Sequence, residues 1–248
     1  MIRLSVNVNK VATLRNSRGG SVPRVVQAVE VCIAAGAPGI TVHPRADRRH
    51  ITPDDVRDIA SMLAGTGVEL NIEGDPRPEL LDLVQEVRPD QCTLVPVIAG
   101  EITSQAGWQP GPQTDGLAAV VRTFKSRRIR VSLFVEPVAG PIEWAASVGA
   151  DRIELYTEPF ARAFARGSEA GRQSFEMFAG AARLAHSLGL GINAGHDLDL
   201  DNLTLFRRLP FLDEVSIGHA IMSRALFVGL STVVREYLDV LAARRVSA

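Results

Sequence analysis

The chain has 248 residues, 46% hydrophobic and 22% charged, with a formal net charge of −1 and two cysteines. That length suits one large domain, expected to span residues 1–248, with a sizeable core. The balanced charge supplies no global basic field for nucleic acid. Arg3, Asn7, Asn9 and Lys10 interrupt the opening segment, which therefore does not read as a signal peptide, and no apolar run reaches the roughly 18 residues of a membrane span. Cys32 and Cys92 each sit in an apolar pattern and read as buried free thiols of a cytoplasmic protein.

Arg3 to Val8 alternates as a first strand, ending in Asn7, Asn9 and Lys10, and Arg15 to Gly20 reads as a basic, glycine-ended loop. Pro23 is expected to open a helix whose buried face carries Val25, Val29, Cys32 and Ile33 and which stops at Gly36. Gly39 to Val42 is a short buried second strand, after which His43, Arg45, Asp47, Arg48, Arg49 and His50 follow in quick succession. Thr52-Pro53-Asp54-Asp55 carries a helix N-cap, a proline in the first turn and two acidic residues that complement the dipole. Glu69 to Ile72 is a third strand delivering Glu73, and Pro78 leads into an amphipathic helix with Leu80, Leu81, Val84 and Val87. Gln91 to Val95 is the fourth strand.

A long connection from Val97 to Asp115, rich in Gly, Gln, Ser and Pro and holding Thr103 and Trp108, has the length of a lid or binding loop. Leu117, Val120, Val121 and Phe124 mark a helix before the fifth strand, Arg130–Val135, which ends at Glu136. A helix with Ile142, Ala145 and Val148 precedes the sixth strand, Arg152–Tyr156, which carries Glu154, and an irregular segment runs on to Gly167. A helix around Phe175 to Leu188 feeds a seventh strand, Gly191–Asn193, ending in Gly195-His196-Asp197. After a short helical piece, Glu214–Ile217 is the eighth strand, ending in Gly218-His219, and one long final helix carries Ala225 to Leu241.

The helix-to-strand junctions at Gly36, Gly149 and Gly189 repeat one design: a C-cap glycine, a tight turn, then a strand. Eight strand–helix units at about 31 residues each match a single (β/α)8 TIM barrel, with a long lid loop after the fourth strand and room for short extra helices. A doubly wound sheet is the rival. Neither G-x-G-x-x-G after the first strand nor a G-x-x-x-x-G-K-[ST] loop is present, so its nucleotide-binding forms are disfavoured.

In a barrel the carboxyl ends of the strands converge on one mouth, where Asn7, Lys10, His43, Arg45, Glu73, Thr103, Glu136, Glu154, His196, Gly218 and His219 would gather. Four of the five histidines (His43, His50, His196 and His219) fall in these segments, and His186 alone lies within a helix. Imidazoles titrate near neutrality and a desolvated glutamate is raised toward it, so His43, Glu73 and His196 are equipped to move several protons on one substrate. Gly218-His219-Ala220, opening a helix after the last strand, has the form of a phosphate pocket, and Arg18, Arg45 and His50 would serve a second anion. A solvated loop remains open for the arginines and a simple turn for Gly218. A divalent ion held by His43, Glu73, Glu154 and His196 also stays open, although no H-x-H, H-E-x-x-H or paired-cysteine spacing supports it.

Asn7 to Gly19, Gly39 to Ile51, Asn71-Ile-Glu73, Leu94-Val-Pro96, Asn193-Ala-Gly-His196 and Ser216-Ile-Gly-His-Ala220 together resemble the pyridoxine 5′-phosphate synthase family, in order and over nearly the whole chain. The resemblance implies a (β/α)8 barrel, typically an octamer, working without metal or organic cofactor on two small phosphorylated substrates, with no nucleic acid or membrane partner. Such an enzyme condenses 1-deoxy-D-xylulose 5-phosphate with 3-amino-2-oxopropyl phosphate to pyridoxine 5′-phosphate, phosphate and water. By motif, the family's proton-accepting histidine falls on His43, its catalytic glutamate on Glu73, its proton-donating histidine on His196, and a transition-state-stabilising glutamate on Glu154. The aminoketone phosphate would meet Asn7, Arg18, Gly218 and His219, and the pentulose phosphate Arg45, His50 and Thr103. Many members carry Asp-His where this chain has Asn9-Lys10, positions implied to contact the pentulose phosphate, and a glycine where this chain has Asp197. Two rivals are a metal-dependent sugar-phosphate isomerase on the same barrel and a non-catalytic sugar-phosphate sensor, which would need neither Glu73 nor His196.

Overall fold

The computed structural model of the protein describes residues 1–96 and 106–243. Eight strands run β1 (Arg3–Asn7), β2 (Gly39–Val42), β3 (Glu69–Gly74), β4 (Gln91–Leu94), β5 (Arg130–Val135), β6 (Arg152–Leu155), β7 (Gly191–Ala194) and β8 (Leu212–Ile217). Each pairs in parallel with its successor and β8 returns to β1, which makes a closed barrel in sequence order. An open doubly wound sheet is thereby ruled out. The strands match the expected segments to within a residue or two at most ends, because alternation and flanking glycines mark them clearly.

Around the barrel lie α1 (Asn9–Asn16), α2 (Val25–Ala34), α3 (Pro53–Leu63), α4 (Pro78–Val87), α5 (Thr114–Ser126), α6 (Ala139–Val148), α7 (Glu158–Ala165), α8 (Ser168–Ser187), α9 (Leu200–Phe206), α10 (His219–Val228) and α11 (Leu230–Ala242). Four features differ from the expectation. Helix α1 begins within the stretch taken for a strand end and loop; only Ala12 of its eight residues is buried and no side chain caps it, so no apolar periodicity announced it. Helix α7 fills the segment expected to be irregular; it is eight residues long with a proline in its first turn. The long final helix is two, broken at Gly229, whose φ of +87° lies in the left-handed region. Pro23 stands ahead of α2 rather than inside its first turn, and its peptide bond with Val22 is cis.

Two layers of packing hold the fold. Between strands and helices, Leu4, Val6, Ile40, Val42, Ile72, Leu94, Leu133, Ile153, Ile192 and Val215 are fully buried. Phe160, Phe178 and Phe206 meet there with ring centroids 4.8 to 6.1 Å apart; burying each such ring contributes roughly 1.5–3 kcal/mol. Cys32 and Cys92 are buried free thiols in this layer.

Inside the barrel the chemistry is different. Successive residues of a strand point to opposite faces, so the partners of the aliphatic series face the axis: Ser5, Thr41, Asn71, Thr93, Ser132, Glu154, Asn193, Glu214 and Ser216, all buried. Barrels of this type usually fill that space with branched aliphatics. Here polar groups take much of it, most of them hydrogen-bonded to one another, while Ser132 Oγ and Glu154 Oε2 have no partner among the described residues. Ser5 and Thr41 share a 2.6 Å bond, Asn71 donates to Thr41 at 3.3 Å and Thr93 donates to Asn71 at 3.0 Å. Gln91 reaches across the axis from β4 to Glu214 on β8 at 3.3 Å. At the amino-terminal end, Arg130 binds Gln91 and Glu69, Arg3 lies 3.4 Å from Glu69, and Arg152 bonds Asn193 at 3.0 Å and lies 3.9 Å from Glu214. Buried polar groups satisfied in this way avoid the cost of desolvation without a partner.

Candidate active site

The carboxyl ends of the strands carry the site. The next acceptor of the β1–β2 ladder after Thr41, which takes the Val8 N–H at 3.2 Å, would be the Val8 carbonyl; it is occupied by the Val11 N–H at 3.0 Å as α1 begins. The side chain of Asn9 takes its place, its Oδ1 accepting the His43 N–H at 2.9 Å. Asn7 Oδ1 in turn accepts the Asn9 N–H at 3.0 Å.

His43 is 9% exposed, and its Nε2 has no hydrogen-bond partner among the described residues. The His50 ring lies edge-on to it at 6.0 Å. Burial, and then the neighbouring charges of His50, Arg45, Arg77 and His196, hold the His43 pKa well below the usual imidazole value. The ring is therefore neutral at physiological pH with an open nitrogen, the state of a base ready to accept a proton. Burial likewise pulls His50 down to about 4, with Arg45 adding to the effect and Asp47 opposing it.

Glu73, at the carboxyl end of β3, is 8% exposed. Asn7 Nδ2 donates to its Oε2 and Ser216 Oγ to its Oε1, each at 3.4 Å. Burial raises its pKa to about 8; the Ser216 bond pulls the other way and the Glu214 charge pushes further up. Glu154 is raised well above the carboxylate range by burial and then by Glu73 and Glu214, and its Oε2 has no partner among the described residues. Burial thus shifts both carboxyls toward the protonated form. His196 stands among aromatic rings, 4.9 Å from Phe134 and 5.7 Å from Tyr156, and its carbonyl accepts the Thr157 hydroxyl. Burial lowers its pKa, against the opposing pull of Asp197.

Close backbone approach draws these elements together. A Cβ on Gly195 would sit 2.3 Å from the Ser216 carbonyl oxygen and 3.2 Å from Glu154 Oε1, and one on Gly218 would sit 3.0 Å from the Asn7 Cβ. Glycine after β7 and after β8 thus lets four inward groups, Asn7, Glu73, Glu154 and Ser216, share one small space.

The loop from His43 to Ile51 is anchored from two sides. Thr52 and Asp55 form a reciprocal capping box at α3. Arg15 of α1 binds Asp55 and donates to the His50 carbonyl at 3.3 Å, and Asn16 donates to the same carbonyl at 2.9 Å. Arg45 is 7% exposed and its Nε lies 3.6 Å from Asp47. Lys10 is exposed at the start of α1, and its charge reaches His50. Gly218 is the residue before α10, and His219, exposed in the first turn of that ten-residue helix, places its Nε2 3.4 Å from Ser223 Oγ. Arg18 lies exposed beyond α1, and no hydrogen bond or ion pair among the described residues ties its guanidinium to the cluster. Thr103 lies outside the described residues. Glu136 is engaged by Gln109 at 2.8 Å, and Trp108 fixes the returning arm of the long loop by donating to the carbonyls of Phe134 and Leu94.

Sequence reasoning overlooked several members of this arrangement. Arg77 donates to the Pro44 carbonyl and adds its charge to His43; its position just ahead of Pro78 marked it only as a helix approach. Ser216 was legible as an inward position of β8, and Phe134 and Tyr156 as the inward ends of β5 and β6. Among the described residues no group of three His, Cys, Asp or Glu side chains is gathered closely enough to hold a metal ion, the set His43, Glu73, Glu154 and His196 included.

A family profile described as "Pyridoxal phosphate biosynthesis protein PdxJ" matches residues 4–243. Pyridoxine 5′-phosphate synthase of Porphyromonas gingivalis is 51% identical over 243 residues, covering 98% of this chain and 100% of the relative. That of Christiangramia forsetii is 50% identical over 242 residues, covering 97% and 100%. Among solved structures, phosphoribosyl anthranilate isomerase from Thermus thermophilus superposes with a TM-score of 0.60 at 18% identity, covering 98% of this chain and 100% of that one. The corresponding enzyme from Thermotoga maritima gives 0.62 at 13% identity, covering 97% and 98%; these likenesses speak for the barrel alone.

Proposed function

We infer the activity from one premise: the chain belongs to the PdxJ family of pyridoxal phosphate biosynthesis proteins, and it is a pyridoxine 5′-phosphate synthase of vitamin B6 biosynthesis. The reaction joins 1-deoxy-D-xylulose 5-phosphate to 3-amino-2-oxopropyl phosphate and yields pyridoxine 5′-phosphate, phosphate and water. The observation that carries this reading to the residues is the pairing of opposite protonation states in one buried space. His43 is held neutral with an open nitrogen, while Glu73 is held protonated with a pKa of about 8.

The chemistry asks for that pairing. An amine must add to a ketone, water must leave, a carbon-bound proton must be removed, phosphate must depart and the ring must close. His43 accepts protons, Glu73 delivers and recovers them, and His196 protonates a leaving oxygen. The negative charge of two bound phosphates raises the histidines from their depressed values, which turns His196 into a donor only when substrate is present. Glu154, buried beside Glu73, supports the charge that develops in the transition state. The aminoketone phosphate lies against Asn7, Gly218 and His219 at the start of α10, with Arg18 closing from the surface. The pentulose phosphate lies against Arg45 and His50, with Lys10 beside them, and Thr103 is a further contact. Holding both anions fixes the reacting carbons at near-attack distance.

A lid, the role the family resemblance gives the connection after β4, would keep imine intermediates from water. The working enzyme is a cytoplasmic homo-octamer that draws on no metal or organic cofactor. The test is to give purified protein both phosphorylated substrates and follow pyridoxine 5′-phosphate and released phosphate. Turnover that survives a chelator is the expected result. Folded protein that releases neither product would end the reading, and activity abolished by chelation would favour the metal-dependent isomerase chemistry instead.

A further inference from the structure

We propose that Asn9 is a positioning residue for His43: its side-chain oxygen stands in for a missing backbone acceptor and fixes the direction in which the imidazole leaves β2. The inference rests on the catalytic role of His43 given above and adds a residue that acts through it.

Three observations carry it. In a parallel ladder the His43 N–H would be received by the Val8 carbonyl, but Val8 has a φ of −94° and a ψ of 9°, and its carbonyl accepts from Val11. Without a substitute, a backbone donor at the buried end of β2 would be left unpaired, which native structures rarely tolerate. Asn9 supplies the acceptor at 2.9 Å. The same side chain is the middle of a chain of contacts: Asn7 Oδ1 holds the Asn9 N–H at 3.0 Å, and Asn7 Nδ2 reaches Glu73 at 3.4 Å. The base and the acid of the site are thereby oriented by two neighbouring asparagines on one short segment.

The amide is also the neutral choice. His43 faces His50 and Arg45 of its own loop, Arg77 ahead of α4 and His196 after β7, all cationic when protonated, and the carboxyl of Glu73 lies one residue before Gly74, where a Cβ would come within 3.7 Å of the His43 ring. An aspartate at position 9 would satisfy the same N–H while placing a negative charge beside the imidazole. Asparagine keeps the contact and leaves the ring in its basic, uncharged form to lower pH. The substrate contact expected of this segment then falls to Lys10, which is exposed and whose charge reaches His50.

The test compares Asn9→Ala and Asn9→Asp with the parent protein. The ring titrations of its five histidines are followed by NMR, the His43 signal being assigned by its loss in His43→Asn. Asn9→Asp is expected to raise the His43 pKa by about one unit; an unmoved titration overturns the proposal, whatever the enzyme does with substrate. In steady-state assays Asn9→Ala is expected to lower kcat at least about tenfold with KM for both substrates held within about twofold, and Asn9→Asp to recover most of that loss with the acid limb of its kcat profile displaced to higher pH. Asn9→Ala with unchanged kcat and a raised KM for the pentulose phosphate would make Asn9 a substrate contact and overturn the positioning role. Should Asn9→Ala melt too low to assay, the Asn9→Asp titration decides alone. A parent protein that makes no pyridoxine phosphate would defeat the assigned activity, and the NMR titration would still decide whether Asn9 governs the His43 ring.

Discussion

Ser216 on β8 donates its hydroxyl to Glu73 on β3 at 3.4 Å, across a barrel interior that most proteins of this architecture fill with aliphatic side chains. The bond favours the ionised carboxylate and tempers the effect of burial, which lifts Glu73 to about 8. Removing it in Ser216→Ala should raise the Glu73 pKa further. The expected result is a basic limb of kcat/KM moved upward by about half a unit or more. A profile superimposable on the parent's would show that this hydroxyl does not tune the acid.

The stability of the protein should record the same proton. Glu73 has a folded-state pKa of about 8, above the roughly 4.3 of an unfolded glutamate. The folded state therefore binds more protons between these values. The stability from the neutral carboxyl is fully present below about 4.3 and is lost as pH rises through about 8. In Glu73→Gln that loss disappears. Chemical denaturation at pH 8.5 should show the variant more stable than the parent by several kcal/mol, with ring formation abolished. Equal stability at high pH, or turnover close to the parent's, would contradict the prediction.

Crowding after β7 gives a steric test. A methyl group on residue 195 would meet the Ser216 carbonyl oxygen at 2.3 Å and Glu154 at 3.2 Å. Backbone has to move to relieve the first contact, which costs about 1–3 kcal/mol. Gly195→Ala should therefore lose roughly that much stability in urea titrations and at least about a hundredfold in kcat, because both the acid cluster and the adjacent His196 shift. A variant with parent-like melting and turnover would show that the turns after β7 and β8 are looser than their contacts imply.

His50 links proton uptake to anion binding. Its pKa is held down to about 4 by burial and by Arg45. A phosphate dianion placed against Arg45 and His50 favours the charged imidazole and raises that value. Near pH 5.5, binding of the pentulose phosphate should consume protons, so calorimetry in buffers of different ionisation enthalpy should give different apparent heats. His50→Gln should remove part of that difference. Heats that do not depend on the buffer would place the phosphate elsewhere.

How much of this was legible beforehand follows from where the information resides. The strands could be read because each pairs a period of two with glycine punctuation, and the eightfold repeat then implied closure. His43, Glu73, Glu154 and His196 could be read because each is a titratable group one step inside or beyond an apolar strand. Helix α1 was hidden: Asn9, Lys10, Thr13, Arg15 and Asn16 have no apolar period, and its cause is tertiary, since its side chains brace the His50 loop. The bond from the His43 N–H to Asn9 was hidden because sequence names the side chain and says nothing of the Val8 carbonyl having turned away. Arg77 acts on His43 across a gap of more than thirty positions, a relation that only folding creates. The break at Gly229 was passed over because a single glycine inside an apolar helical pattern is often tolerated.

The pairing of β1 with β8 has a further consequence for biosynthesis. Asn7 and Asn9 are made before β2 to β8, yet the strand that leads to them has one flank bare until Leu212–Ile217 has been made, and α11, which packs on β1, comes later still. A translation product cut short ahead of Leu212 would carry His43, Glu73 and His196 complete while presenting two unpaired strand edges, β1 and β7, to other chains. Such a polypeptide would own His43, Glu73 and His196 yet lack the last stave of the barrel, and its bare edges are the feature a chaperone or protease would meet.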